Sequence, residues 1–395
     1  MVSNVTVGGR GRMSVAEIRQ AAMKDPKGFM LKMQTAIDAG KMSLSDITDL
    51  RGMFLALSDV QVPVHVEVMG EQRSIMASAF PVLVGGLAVK GINDSYMAVP
   101  TIGQELVEDV DDNKRVSTFA NVHALDKFID RVDEGKEFPE ISASEEKMEI
   151  RSKRNGRKLS ITMEAIEENN VADIVRRINA LGEIASDWVE EQTLDRVCDR
   201  YGSATTPAEP YVYRPNGAGT QLYNATANNP GTRAPSGTRK TNNALVDETD
   251  LENARIVLAA MKNERGKRIT IPINQCILAV PDALVATANK ILNSELVPGV
   301  ENEVNPWGPK GQYRPRIVSS PKLDDISTTA WYLGMFKKQF IRKWKLRYEN
   351  VMLEGNTQMF LDKRIAAQMR VAWDVEIGAL DYVYAVQCLS GTTPP

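Results

Sequence analysis

One stretch of this sequence sets basic side chains among aromatic ones at a spacing that could serve recognition. In Phe340–Tyr348, Phe340, Trp344, Leu346 and Tyr348 fall on one side of an extended chain, and Ile341, Lys343, Lys345 and Arg347 on the other. Cations interleaved with aromatics at period two can grip a nucleic-acid backbone. The same pattern also describes an ordinary strand that buries its aromatics and solvates its lysines, and that plainer reading is the expectation here. A second charged run, Arg131-Val-Asp-Glu-Gly-Lys-Glu-Phe-Pro-Glu140, places ions of both signs around Phe138.

Residues for bond-making chemistry are sparse. His65 and His123 are the only histidines, neither in a motif, and no Cys-x-x-Cys or His-Glu-x-x-His spacing accompanies them, so a zinc centre of the usual kind does not fit. There is no phosphate-binding loop, since Gly8-Gly9-Arg10-Gly11 lacks a strand-to-helix context, and there is no serine nucleophile elbow. The acidic pairs Asp111-Asp112 and Glu145-Glu146 sit in charged stretches where solvation keeps carboxylates ionised. Cys198, Cys276 and Cys388 are far apart, odd in number and flanked by apolar residues, which points to reduced, buried thiols in a cytosolic setting. No catalytic, cofactor-binding or metal residue is expected.

Composition agrees with a soluble globular chain. Of 395 residues 43% are hydrophobic and 25% charged, and 48 Lys plus Arg against 51 Asp plus Glu leave a net charge of −3, too little to draw the whole molecule onto nucleic acid or anionic lipid. The longest apolar run, Ala79 to Val89, holds Pro81 and Gly85-Gly86 and is far short of a bilayer span. The polar, glycine-rich start is not expected to be a secretory signal.

The elements are organised around Asn170 to Arg200. Val171, Ile174, Val175, Ile178, Leu181, Ile184, Trp188, Leu194 and Val197 recur at mostly three- and four-residue steps, which predicts one long helix with a buried stripe. Asn170 is placed to cap it and Gly202 to end it. Upstream, helices are expected over 14–40 and 44–58, and the alternating valines of Gln61–Val68 predict a strand. Residues 118–160 are charged and short of large apolar side chains; Met148 and Ile150, then Leu159 and Ile161, alternate with polar residues on either side of Asn155-Gly156, which predicts a long two-stranded arm turning at that dipeptide. Such a ribbon cannot stabilise itself in water and needs a partner surface, on its own domain or on another copy.

After the long helix, residues 202–243 are rich in Gly, Pro, Asn and Thr with almost nothing to bury, a pattern of an exposed or functional loop. A helix is predicted over 250–265 ending at Gly266, buried strand over 269–273 and 276–280, and a helix over 282–293. Further strands are predicted at 316–319, 330–335, 366–374 and 382–389. Strand and helix intermingle, so the fold class is α+β. On residues alone this is a non-catalytic, self-associating structural protein, and the competing class is an enzyme whose site is built from dispersed carboxylates.

The order of parts resembles the major capsid proteins of tailed bacteriophages, the family built on the Hong Kong 97 fold. The resemblance is carried by Glu134-Gly135 and Phe138-Pro-Glu140, then by Leu159-Ser-Ile-Thr-Met-Glu-Ala-Ile-Glu-Glu-Asn169 leading into the long helix. It continues in Ile277-Leu-Ala-Val-Pro-Asp-Ala-Leu284, Ala288-Asn-Lys-Ile-Leu-Asn-Ser294, Asn305-Pro-Trp307 and Ser319-Ser-Pro-Lys-Leu-Asp324, and closes with Phe360-Leu-Asp362, Arg370 and Asp374-Val-Glu-Ile-Gly-Ala-Leu-Asp-Tyr382. It spans about 118–390 and leaves roughly the first hundred residues unmatched.

The resemblance implies an N-terminal arm or scaffolding-like extension over 1–60, first peripheral-domain strands over 61–117 and an extended β-hairpin loop over 118–160. It further implies a spine helix over 161–200, an axial domain over 201–335 and closing strands over 336–395. It implies self-assembly into hexamers and pentamers of an icosahedral head around double-stranded DNA held without sequence preference, with portal, scaffold and decoration proteins as partners and no membrane. Its setting would be the virion, assembled in the host cytoplasm. Arg131, Glu134, Lys136, Glu137, Phe138, Glu140, Arg154 and Arg157 would contact a neighbouring subunit, and Lys343, Lys345 and Arg347 would face the DNA. The lysine–asparagine crosslinking constellation of some relatives has no match here, so assembly is expected to be noncovalent. A cellular nanocompartment shell of the same fold is the alternative.

Overall fold

The computed structural model describes residues 4–6, 12–39, 61–68, 71–120, 147–162, 164, 167–168, 171–200, 222–224, 233–263, 266–297, 303–354 and 365–391. The chain forms two compact units, one of Met1–Pro100, Arg154–Trp188 and Arg347–Trp373, the other of Thr101–Lys153, Val189–Leu346 and Asp374–Pro395.

In the first unit β1 (Asn4–Thr6) and β2 (Arg12–Ser14) pair antiparallel and lead into α1 (Val15–Lys24) and α2 (Pro26–Asp38). The single helix expected over 14–40 is therefore two. Pro26 has no N–H with which to continue α1, and Asp25 caps the new start, its Oδ1 accepting the Gly28 N–H at 3.0 Å. The helix expected over 44–58 lies outside the described residues. β3 (Gln61–Val68) forms where the valines alternate and pairs antiparallel with β4 (Glu71–Ser78). The apolar run that follows opens α3 (Ala79–Ala98), with Pro81 in its first turn, where a missing N–H leaves no helical bond unmade.

The second unit begins with α4 (Gly103–Leu106), β5 (Glu108–Asp111) and β6 (Val116–Ala120). β6 pairs antiparallel with β7 (Lys147–Arg151) from Val116↔Arg151 to Ala120↔Lys147. The chain then passes back into the first unit at Arg154 along β8 (Lys153–Thr162), which contains Asn155 and Gly156, so the expected turn at that dipeptide is instead a continuous strand. Glycine is needed there because β8 runs against β14 (Ile365–Ala379), the fourteenth strand in chain order: a Cβ at Gly156 would collide with the Val371 carbonyl oxygen and stand 3.2 Å from the Ala372 Cα.

α5 (Val171–Val197) is the expected long helix, about 40 Å at 1.5 Å per residue. Ile174, Ile178, Leu181, Ala185, Val189, Leu194 and Val197 form its buried stripe, while Ile184 departs from it at 52% exposure. Gly182 sits mid-helix because the α3 backbone passes there; a Cβ would meet the Ile92 carbonyl oxygen and lie 3.1 Å from the Ser95 Cβ. The helix ends at Val197, and the left-handed residue that terminates it is Asp199 rather than Gly202, which lies outside the described residues. Asp199 takes φ 53, and the Asp199 and Arg200 N–H groups reach back to the carbonyls of Arg196 and Asp195, a Schellman closure. Aspartate tolerates the left-handed position because its Oδ2 accepts the Leu222 N–H at 2.7 Å.

The core of the second unit is a five-stranded sheet of β9 (Arg239–Lys240), β10 (Ile277–Pro281), β11 (Arg316–Ser320), β12 (Trp331–Gly334) and β15 (Ala385–Cys388), in the order β11-β10-β12-β15-β9. β10 is parallel to β11 and antiparallel to β12, so the sheet is mixed. Around it stand α6 (Glu248–Ala259), α7 (Asp282–Asn293), α8 (Pro321–Ile326) and α9 (Phe336–Gln339). The helix expected over 250–265 starts earlier because Asp247 and Asp250 form a capping box, and it stops at Ala260; Gly266 instead occupies a turn at φ +74. The strand expected at 269–273 is extended chain leading to a 3₁₀ turn, Ile273–Gln275. Residues 202–243 are not without a core contribution: Leu222, Tyr223 and Ala234 are buried. β13 (Phe340–Glu354) and β14 join β5 and β8 in a second sheet of order β5-β13-β14-β8. Buried Cys198, Cys276 and Cys388 are free thiols within the core. Burial pushes Cys198 and Cys276 up to about 12 and Cys388 further still, which leaves them inert.

Gly156→Ala is expected to destabilise the chain by about 1–3 kcal/mol, because the collision is with backbone that cannot rotate away. Urea unfolding of the unassembled variant measures it, and an unchanged midpoint counts against the close approach of β8 and β14.

Candidate functional site

The densest polar construction lies at the root of the β6–β7 ribbon, within the second unit. β13 enters parallel to β5, with Ile341↔Glu108 through Trp344↔Asp111 in register. That register sets Arg342 opposite Asp109, and the guanidinium donates to both carboxylate oxygens, Nε at 2.6 Å and Nη2 at 2.9 Å. The Trp344 indole N–H donates to the same carboxylate at 2.8 Å, and the guanidinium lies 5.3 Å from the Trp344 ring centroid. Arg342 Nη1 reaches Thr193 Oγ1 at 3.3 Å. Nearby, Glu190 takes the Ile102 N–H at 2.8 Å and the Gly103 N–H at 3.0–3.1 Å. Burial raises the Glu190 carboxyl above the ordinary glutamate range, against the pull of those two amides.

The next turn of chain is held in the same way. Lys343 is fully buried and its Nζ donates to the Lys114 carbonyl at 2.7 Å. Asp112 accepts from the Ser117 hydroxyl and from the Lys114 N–H at 3.0 Å, and these bonds hold its carboxyl below the usual range. Ile150, Ile341 and Leu380, with Val110 and Phe119 against them, make a small apolar cluster under the ribbon. Each charge described in this knot is met by another group of the chain, so the arrangement fixes the root of the β6–β7 ribbon.

The residues singled out in the sequence are placed unequally. Arg131, Glu134, Lys136, Glu137, Phe138 and Glu140 lie outside the described residues. Arg154 and Arg157 are on β8 and exposed. Lys343 corrects both readings made of its strand: it is neither solvated nor able to meet a duplex, since Phe340, Ile341, Arg342, Lys343 and Trp344 are all buried in succession. Lys345 lies 3.9 Å from Asp374, and Arg347 is exposed. Glu190, Asp109 and Arg342 escaped the sequence reading, although two of them carried a signal: Glu190 is a charge within the buried side of a helix, and Arg342 is the one ion on the aromatic side of its strand.

Elsewhere, a recess of about 250 Å³ is lined by Arg255, Ile271, Asn274, Gln312 and Tyr313, with Arg255 stacked 4.8 Å from the Tyr313 ring centroid and paired to Glu252. Among the described residues no group of three or more His, Cys, Asp or Glu is arranged to hold a metal ion, and no helix is long and apolar enough to cross a membrane.

A family model described as "Phage capsid protein" matches residues 145–387. No curated protein matches the chain. Among solved structures, a virus-like particle from Pyrococcus furiosus aligns at 8% identity and a TM-score of 0.39, over 75% of this chain and 96% of that one. The mature capsid of bacteriophage PhiM1 aligns at 12% and 0.43, over 75% and 89%. The capsid of Ralstonia phage GP4 aligns at 11% and 0.43, over 73% and 88%.

Removing one partner of the buried pair is expected to cost much more than removing both. Arg342→Met, which takes two of its bonds from half-buried Asp109 and empties the buried guanidinium site, is expected to destabilise by about 1–3 kcal/mol, and D109L/R342M to regain part of it; denaturant midpoints of the three chains decide this. For Glu190 the folded chain holds its proton to higher pH than the unfolded chain. Its charge therefore opposes folding at neutral pH, and the opposition fades as pH falls through the raised value toward the ordinary glutamate range. Wild-type stability should rise relative to Glu190→Gln across that window, and parallel stability–pH curves would refute the assignment.

Proposed function

The chain belongs to the phage capsid protein family, and from that membership we propose that it is the major subunit of a Hong Kong 97-type head shell, assembling as hexamers and pentamers around double-stranded DNA. The observation that carries this reading is the family match over 145–387, which takes in the second half of the ribbon, the long helix, β13, β14 and all of β15 but its last residue. The ribbon supports it: two strands of five residues each, anchored at their root by the Asp109–Arg342 knot, cannot be stable alone and are completed by burial against another subunit. Repetition of one such contact around an axis closes rings.

In this proposal residues 1–60 are an arm or scaffolding-like extension and 118–160 the extended loop, with the spine helix within 161–200, the axial domain over 201–335 and the closing strands from 336. Arg131, Glu134, Lys136, Glu137, Phe138, Glu140, Arg154 and Arg157 contact a neighbouring copy, and Lys345 and Arg347 face the packaged DNA. Lys343 is left out because its amine is enclosed. A net charge of −3 suits a wall that holds DNA without gripping it, since tight binding needs many phosphate contacts. The work is assembly, not catalysis, with portal, scaffold and decoration proteins as further partners, no covalent crosslink between subunits, and assembly in the host cytoplasm preceding residence in the virion. A nanocompartment shell and a soluble enzyme are the weaker readings, because the matched family is one of phage structural proteins.

Negative-stain microscopy of the purified full-length chain is the direct test: shells, tubes or rings are expected, and a persistent monomer would sink the proposal. The loop has a separate test. Replacing residues 123–144 with a short Gly-Ser linker keeps β6 and β7 and is expected to leave a folded chain that sediments far below shell size; unchanged shells would remove the loop from the assembly contacts.

A further inference from the structure

We draw no further inference here: the strongest candidate, the recess of about 250 Å³ that Arg255, Ile271, Asn274, Gln312 and Tyr313 line in the second unit, carries nothing because its one cation is already engaged by Glu252 and the Tyr313 ring and nothing in the structure shows what fills it.

Discussion

The constraint on which the junction of β5, β13 and the β6–β7 ribbon depends is the two-bond contact between Arg342 and Asp109. A guanidinium with 5% of its side chain exposed is tolerable only where a carboxylate meets it in the fork geometry, and the parallel register of β5 and β13 creates that meeting. From it follow the placement of Trp344, whose indole N–H completes the carboxylate's partners, and the path of the chain through Asp112 and Lys114 into β6. Glu190 performs the same service one step earlier, holding the amides of Ile102 and Gly103 where α4 begins. The ribbon thus starts from a foundation of satisfied charges.

Buried ions in this chain serve position rather than reaction. Arg233 meets Asp381 at 2.6 Å and stacks on Tyr382, and Arg239 meets Gln387 at 2.6 Å beside Tyr332. The first ties the chain ahead of β9 to the stretch between β14 and β15, and the second ties β9 to its neighbour β15. Burying a charge costs several kcal/mol unless it is paired, so a chain that does so repeatedly selects one arrangement of its loops strongly. That property suits a subunit whose contacts must be alike in every copy of a shell.

Much of this was legible in the primary structure. The stripe from Ile174 to Val197 announced α5, the valines announced β3, and Asp282 to Asn293 forms the helix read there. The apolar settings of Cys198, Cys276 and Cys388 correctly placed them in the core. Local rules failed where a distant backbone took over. Asn155-Gly156 has the composition of a turn, but the glycine is required by the carbonyl of Val371 and the chain runs straight through. Lys343 alternates with aromatics as a solvated residue should, but the carbonyl of Lys114 receives it and water does not.

What the sequence by itself determined is the list of parts and their kind: a long amphipathic helix, short buried strands and a charged segment poor in apolar side chains. These follow from periodicity and residue type, which act over a few residues. Only the tertiary structure decided which charges meet and which glycines exist for another strand's backbone. Those outcomes depend on register between segments up to about two hundred residues apart, and a single chain of letters carries no record of what lies across the gap.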